Sequence, residues 1–192
     1  MSADDAARRD AVDAARHLAA ALDEQGQEYA LGGAIALGYW ATPRGTLDVD
    51  LTLFLSPKQP GDCIRVLEDA GCNVNAAEAT RMIREHGYCR ADLDGIRVDV
   101  FLPIAAFYDM ARPRRRRFDL EGQPVMVWDA ESLVVFKMMF FREKDLVDVK
   151  QIVRTQGKIF DRDWVRERLE ETFGRHDPRV ARWDEITHEI IA

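Results

Sequence analysis

The stretch that decides the fold is residues 28–55, EYALGGAIALGYWATPRGTLDVDLTLFL. A short apolar run ends in Gly32-Gly33, and a segment of small residues leads to Asp48 and Asp50 within an apolar strand. Because side chains alternate across a strand, Asp48 and Asp50 share one face. Two carboxylates held that close repel each other, so we expect a cation between them. Taken alone, the pair also fits two solvated side chains at the end of a strand.

The composition is that of a globular chain of 192 residues with a net charge of −7. This length is enough for one core plus a small helical appendage. The negative charge argues against a protein coated by nucleic acid, although local basic patches remain compatible with it. Three cysteines without a CxxC motif indicate a reducing compartment and no zinc site. No run approaches the roughly 18 apolar residues of a membrane span, and the N-terminus lacks a signal-peptide core. We therefore expect a cytoplasmic protein without a membrane partner.

Hydrophobic periodicity and turn residues predict an α/β (α+β) core over residues 1–128 and a helical part over residues 129–192, packed as one unit. Core helices are predicted over residues 4–25, 34–41, 57–70, 78–85 and 105–111, the third opened by Ser56-Pro57. Core strands are predicted over residues 29–31 and 47–55 and in hairpins around Asp94-Gly95 and Glu121-Gly122. Later helices are predicted over residues 130–141, on to 155, over 161–173 and from 178.

A third carboxylate, Asp99, lies on the polar face of a later predicted strand. Together Asp48, Asp50 and Asp99 supply the hard oxygen ligands that one or two Mg²⁺ ions require beside a phosphate substrate. Asp99 is the predicted general base or the carboxylate that orients the metal. The Gly32-Gly33 turn at the start of a helix offers backbone N–H groups to a phosphate. A tight turn without a ligand is the alternative for the glycines.

This pattern resembles the polymerase-β-type nucleotidyltransferase superfamily. The resemblance is carried by Gly32, Gly33, Arg44, Thr46, Asp48, Asp50 and Asp99. It implies a nucleotidyltransferase fold with a small mixed sheet flanked by helices, a nucleoside triphosphate substrate and Mg²⁺. The helix-length insertion between the glycines and the Asp pair is similar to the abortive-infection (AbiEii-like) toxin branch. Small antibiotic nucleotidyltransferases share this insertion.

Residues 132–153 resemble the toxin-like branch more closely, because there a helical lysine contacts nucleotide phosphates and a Lys-Asp-x-x-Asp stretch follows. The resemblance implies phosphate binding by Lys137 and makes Asp145 and Asp148 secondary candidates. Lys137 interrupts an apolar helix, so it needs a path to solvent or a buried anion. Two interpretations of the acidic pair stay open. Either Asp145 is a helix N-cap, or one unbroken helix over 131–154 lets Asp148 orient Lys137.

Arg44 and Thr46, just before the Asp pair, each have two interpretations. Arg44 either orders its loop or meets a phosphate, which suits a bidentate guanidinium. Thr46 either stabilises the turn through its hydroxyl or contacts the nucleotide.

The strongest local concentration of charge is Arg112-Pro113-Arg114-Arg115-Arg116-Arg117. One interpretation is a solvated loop or an edge strand protected from aggregation. The other is an acceptor site for RNA, a nucleotide tail or an acidic partner.

We predict a Mg²⁺-dependent enzyme that transfers NMP from an NTP to an acceptor hydroxyl and releases pyrophosphate. By resemblance the acceptor is an RNA or tRNA 3′ end or a protein side chain, in a toxin–antitoxin system with an antitoxin partner. One alternative is transfer to an antibiotic such as an aminoglycoside or lincosamide. Another is a catalytically inactive module that binds a nucleotide or a partner, against which the three retained aspartates argue.

Overall fold

A mixed sheet organises residues 10–191, the part of the chain that this computed structural model describes. Its six strands within those residues are β1 (Tyr29–Leu31), β2 (Asp48–Leu53), β3 (Tyr88–Leu93), β4 (Ile96–Phe101), β5 (Arg116–Leu120) and β6 (Gln123–Val127). The strand order is β3-β4-β2-β1-β6-β5. β2 pairs with β4 and β1 with β6 in parallel, whereas the other neighbours are antiparallel. The predicted mixed sheet and both predicted hairpins are confirmed.

Helices flank this sheet. Those in the described residues are α1 (Ala11–Glu24), α2 (Gly33–Trp40), α3 (Pro60–Asp69), α4 (Ala76–His86), α5 (Phe107–Ala111), α6 (Ala130–Phe140), α7 (Glu143–Gln156), α8 (Arg162–Phe173) and α9 (Pro178–Ile191). Residues 4–9 of the first predicted helix lie outside the described residues. No helix between residues 10 and 191 is long and apolar enough to cross a membrane.

The core lies on the face of β2 that points away from the two aspartates. Val49, Leu51 and Leu53 are fully buried there, and α1 packs on β2 and β6. Burial of each such side chain stabilises the fold by roughly 1.5–3 kcal/mol. The alternation along β2 therefore fixes the orientation of the strand, and with it the face that carries the carboxylates.

The third helix begins later than predicted. Ser56 accepts a hydrogen bond from the Lys58 N–H at 3.3 Å and stabilises a turn, and the helix opens at Pro60. A serine followed by proline is a start signal, but Pro60 also suits the first turn of a helix, where its missing N–H costs nothing.

The N-cap role of Asp145 and the unbroken helix over 131–154 are both wrong, although the expected proximity of Asp148 to Lys137 is observed. The chain breaks at Phe141, which has a φ of +55°, so there is no unbroken helix over 131–154. Arg142 is the N-cap of α7, and Asp145 is its N3 residue, whose carboxylate accepts the Arg142 N–H at 3.3 Å. The break lets α7 pack against α6, and Asp148 meets Lys137 across that contact.

The helices after Trp128 pack back onto the first half of the chain. α6 and α7 both contact α2, which follows the glycine turn, and α8 and α9 pack on α6 and α7. This packing places Lys137 near the strands that carry the aspartates. The division at residue 128 and the cytoplasmic location stay predictions.

Candidate active site

Three carboxylates meet on one face of the sheet because β2 and β4 pair in parallel register. Asp50 lies opposite Asp99, and Asp48 lies opposite Arg97. The structure therefore brings together the two aspartates of β2 and the third from β4.

The glycine turn fits closely against one of these carboxylates. A Cβ atom added to Gly33 would lie 1.7 Å from Oδ2 of Asp50, and Gly33 has a φ of +56°. Only glycine therefore fits at position 33 without displacing the carboxylate. A Cβ on Gly32 would make ordinary contacts at 3.6 Å, and the Gly32 N–H donates to the Asp50 carbonyl oxygen at 2.8 Å. The free N–H groups for a phosphate are thus those of the first turn of α2.

Asp50 differs from the other two carboxylates because it has no direct partner within residues 10–191. Its side chain accepts no hydrogen bond and forms no ion pair with any of these residues. Burial, followed by repulsion from Asp48 and Asp99, raises the pKa of Asp50 to about 6. A cation at this position would remove that repulsion.

Asp48 is better satisfied than Asp50. The Thr46 hydroxyl donates to Oδ1 of Asp48 at 2.7 Å, and the Arg97 guanidinium forms an ion pair with Asp48. Burial acts to raise the pKa of Asp48, but the Thr46 hydrogen bond and Arg97 hold that pKa below its usual value. Nε of Arg97 also lies 3.4 Å from Asp99, so this guanidinium bridges two of the three carboxylates.

Asp99 has two more partners on β3. The Tyr88 hydroxyl donates to Oδ1 of Asp99 at 2.7 Å, and Nε of Arg90 lies 3.2 Å from the same oxygen. Burial and the hydrogen bond to Asp99 raise the pKa of Tyr88 to about 12. Sequence reasoning missed Tyr88, Arg90 and the role of Arg97. The two-residue Asp-Gly turn could have identified Arg90, because it fixes the hairpin register that sets Arg90 opposite Asp99.

Lys137 has a buried anion, and that anion belongs to the chain. The residue is 4% exposed, and its Nζ lies 2.7 Å from Oδ2 of Asp148. Arg44 donates to both oxygens of Asp148, at 3.2 and 3.0 Å. Burial acts to raise the pKa of Asp148, and the hydrogen bonds from Arg44 and Lys137 lower it. Arg44 therefore orders its loop, and two cations share one carboxylate, which leaves positive charge beside the aspartates.

With the exception of Asp148, the groups described above line one cavity of about 630 Å³. This volume suits a nucleotide-sized ligand. Its basic lining residues are Arg44, Arg90, Arg97, Lys137, Arg142 and Lys144. The lining also includes apolar residues, among them Phe101 and Phe140, whose rings lie 5.7 Å apart.

The three aspartates provide a donor set that fits a divalent cation. Carboxylate oxygens are the ligands that Mg²⁺ prefers, and Asp50 is a half-buried carboxylate with no direct ion-pair partner within residues 10–191. Within residues 10–191 no three acidic, histidine or cysteine side chains are already arranged around a metal position. The Arg97 guanidinium lies between Asp48 and Asp99 instead. A metal at these ligands therefore requires Arg97 to give up its ion pairs.

The arginine run lies elsewhere. Arg114 forms hydrogen bonds to the buried Asp129 at 2.7 Å and to Glu131 at 3.1 Å, and its guanidinium carbon lies 4.1 Å from the Trp164 ring centre. Asp129 is 2% exposed and caps α6 through the Ser132 N–H. Arg114 thus neutralises a buried cap within the fold.

Two further arginines of the run also pair inside the fold. Arg112 and Arg115 both form ion pairs with Glu28, just before β1, and Arg115 donates to the Tyr29 carbonyl oxygen at 2.8 Å. Arg116 and Arg117 are exposed on β5, at the opposite edge of the sheet from β3. None of the five lines the cavity that holds the aspartates. The structure therefore does not bring the predicted acceptor patch to the carboxylates.

Comparison with known proteins relates the chain by fold alone. The sequence matches no protein-family model, and it matches no curated protein. The solution structure of the antibiotic-resistance factor ANT(2″)-Ia aligns with a TM-score of 0.57 and 17% identity, over 93% of this chain and 95% of that chain. The crystal structure of ANT(2″)-Ia in complex with adenylyl-2″-tobramycin aligns with a TM-score of 0.56 and 18% identity, over 84% and 95%.

The first alignment is long enough to include most of the helices after Gln156, which the sequence resemblance did not cover. At identities of 17% and 18% these neighbours share the fold of this chain, and neither is described as a toxin. The chain has a nucleotidyltransferase fold.

Proposed function

We propose that the chain is a Mg²⁺-dependent nucleotidyltransferase that transfers NMP from an NTP to an acceptor hydroxyl and releases pyrophosphate. The observation that carries this proposal is Asp50, a half-buried carboxylate that has no ion-pair partner within residues 10–191 and lies beside Asp48 and Asp99 and against Gly33. Such repulsion lowers stability unless a cation binds, which makes it a feature of functional sites. The fold shared with ANT(2″)-Ia supports the same chemistry.

In this proposal Asp48, Asp50 and Asp99 hold the Mg²⁺. When bound, Mg²⁺ neutralises phosphate charge and lowers the pKa of the attacking hydroxyl. Asp99 lies on the side of Asp50 remote from Gly33, because β4 neighbours β2 on the side opposite β1. Asp99 is therefore the carboxylate placed to orient the acceptor hydroxyl and to accept its proton.

The nucleotide phosphates bind on the other side, at the start of α2. There the first-turn N–H groups and the helix dipole favour negative charge. Lys137 and Arg44 add positive charge, and the shared Asp148 keeps both cations in place before the nucleotide arrives. Preformed cations of this kind stabilise developing phosphate charge without reorganisation.

Two classes of acceptor fit this chemistry. The alignment with ANT(2″)-Ia bound to adenylyl-2″-tobramycin favours a hydroxyl of an aminoglycoside. The basic lining of the cavity favours an anionic acceptor such as RNA. A tRNA acceptor, a protein acceptor, a toxin role and an antitoxin partner are supported only by the resemblance of residues 132–153 to the toxin branch.

The proposal is tested by incubating the protein with Mg²⁺ and each labelled NTP together with tRNA, cell protein or tobramycin. We expect label on one acceptor and stoichiometric pyrophosphate, and neither in EDTA. The acceptor is identified by which of the three, tRNA, cell protein or tobramycin, carries the label. Nucleotide binding without transfer to any acceptor would mean an inactive binding module and would contradict the enzyme.

A further inference from the structure

The strand register arranges the site as a row of side chains. Asp50 on β2 lies opposite Asp99 on β4, and Asp99 lies opposite Arg90 on the edge strand β3. Gly33 borders the row at the Asp50 end. Arg97, two residues before Asp99, points to the same face of the sheet. Arg90 therefore lies beyond Asp99, on the side away from the glycine turn, and Arg97 lies beside Asp99 on the same face of the sheet.

These two guanidinium groups have donors to spare. Arg90 uses only its Nε, which donates to the Tyr88 hydroxyl at 2.6 Å and to Asp99 at 3.2 Å. Its two terminal nitrogens donate to no group among residues 10–191, and its side chain is 65% exposed. Arg97 is 50% exposed and pairs only with Asp48 and Asp99 in the same part of the chain. Both groups therefore present free N–H donors to the cavity.

Among the described residues, no unpaired acidic group apart from the three aspartates lines the cavity to bind a cationic acceptor. The acidic residues that line the cavity are the three aspartates of the site and Asp145. Asp145 is already paired with Arg142 at 2.6 Å. A polycationic amino sugar would meet Arg90 and Arg97 without a counter-charge, whereas an anion would meet two exposed donors.

We propose that Arg90 and Arg97 form an anion subsite that binds a phosphate group of the acceptor, next to its reacting hydroxyl. This inference rests on the proposed function, in which the carboxylates that now pair with both arginines bind the metal instead. A guanidinium fork is well suited to bidentate binding of phosphate oxygens. The acceptor class is thus a phosphorylated hydroxyl compound, and an aminoglycoside is disfavoured.

The test compares R90M, R97M and the double variant with R84M, an exposed arginine of α4 that does not line the cavity. Binding is measured by calorimetry with Mg²⁺ and non-hydrolysable NTP analogues present. The probes are a short oligoribonucleotide with a free 3′ hydroxyl, glycerol 3-phosphate and tobramycin. We expect a phosphate-bearing probe to bind, each single variant to weaken it about tenfold, and R84M to change it less than twofold.

The two phosphate probes distinguish a nucleic-acid end from a small phosphorylated molecule. Tobramycin binding that the double variant leaves unchanged or strengthens would overturn the proposal, as would the absence of any probe affinity that depends on the two arginines. Mg²⁺-dependent binding of the NTP analogue, and its loss in D50N, is measured in parallel. If the nucleotide binds but the arginines have no effect, only the subsite is wrong. If the nucleotide does not bind, the proposed function and the subsite both fail.

Discussion

Two clusters of charged side chains in this molecule differ in how well their charges are matched. The arginine cluster consists of Arg112, Arg114, Arg115, Glu28, Asp129 and Glu131. The carboxylate cluster consists of Asp48, Asp50 and Asp99. In the arginine cluster every guanidinium has a carboxylate partner. In the carboxylate cluster Asp50 has none within the described residues, and the pKa of Asp50 is raised to about 6.

The difference separates a structural role from a functional one. The dense run of arginines is conspicuous in the sequence, yet three of its five charges are paired with carboxylates of the folded chain. The carboxylate cluster is less conspicuous in the sequence, but its aspartates repel one another in the folded chain. Near them lie Arg44 and Lys137, two cations that share Asp148. Unmatched charge in a cavity, rather than charge density, indicates a site for a ligand.

The largest expected effect is on catalysis. D50N removes the unpaired ligand of the carboxylate cluster, so we expect the rate of nucleotidyl transfer to fall about 1,000-fold or more while the fold is retained. The measurement is the initial rate of pyrophosphate release, with circular dichroism as the check on folding. D109N, an exposed aspartate of α5, is the matched control. A wild-type rate in D50N would show that Asp50 is not a catalytic ligand.

The next effect breaks the arginine cluster. R114M leaves the buried Asp129 without its cation, so the free energy of unfolding should fall by about 3 kcal/mol. R117M, on the exposed edge strand, should change it by less than about 0.5 kcal/mol. Urea denaturation measures both values. Equal effects of the two variants would mean that the arginine cluster does not stabilise the fold.

The carboxylate cluster should have the opposite effect on stability. The pKa of Asp50 is raised from 3.8 to about 6, so the folded protein binds this proton more tightly than the unfolded chain. The resulting stabilisation is present below about pH 4 and is lost as the pH rises to about 6. In EDTA at pH 7.5, D50N should therefore be more stable than wild type, by up to about 3 kcal/mol. The gain should vanish near pH 4, and a gain that is independent of pH would contradict repulsion of the ionised Asp50 as its cause.

The smallest effect concerns the two glycines. G33A places a methyl group against Asp50 at a positive φ, so we expect a loss of about 1–2 kcal/mol in stability and weaker nucleotide binding. The methyl group of G32A makes only ordinary contacts, so we expect smaller losses of stability and of nucleotide affinity than in G33A. Thermal unfolding and nucleotide titration of the two variants compare them directly. Equal losses would show that the contact between Gly33 and Asp50 is not what requires glycine.

Much of the fold is predictable because it follows from local patterns. Alternation along residues 47–55 fixes the buried face of β2, and the Asp94-Gly95 turn fixes the hairpin that carries Asp99. The break at Phe141 is different, since no glycine or proline marks it and its left-handed backbone depends on the packing of α7 against α6. The contact between Lys137 and Asp148 was therefore predicted for the wrong reason, since it was expected within one unbroken helix and is formed between two helices.

The candidate site is only partly predictable, for a related reason. Its glycine pair and the Asp48/Asp50 pair are local patterns that a sequence motif captures, and Asp99 follows from the alternation of its own strand. The partners of the arginine run are far away in the chain, as with Arg115 and Glu28, so the local pattern gave no sign that these charges are neutralised. The bridge that Arg97 forms between Asp48 and Asp99 was missed, because it depends on the parallel register of β2 and β4.

The most direct test of the central claim is whether the carboxylate cluster binds nucleotide through a divalent cation. Calorimetric titration with non-hydrolysable NTP analogues should give binding by wild type in Mg²⁺. That affinity should fall at least 100-fold when EDTA replaces Mg²⁺, and equally in D50N with Mg²⁺ present. Nucleotide affinity that is the same with and without Mg²⁺, or unchanged in D50N, would contradict the account.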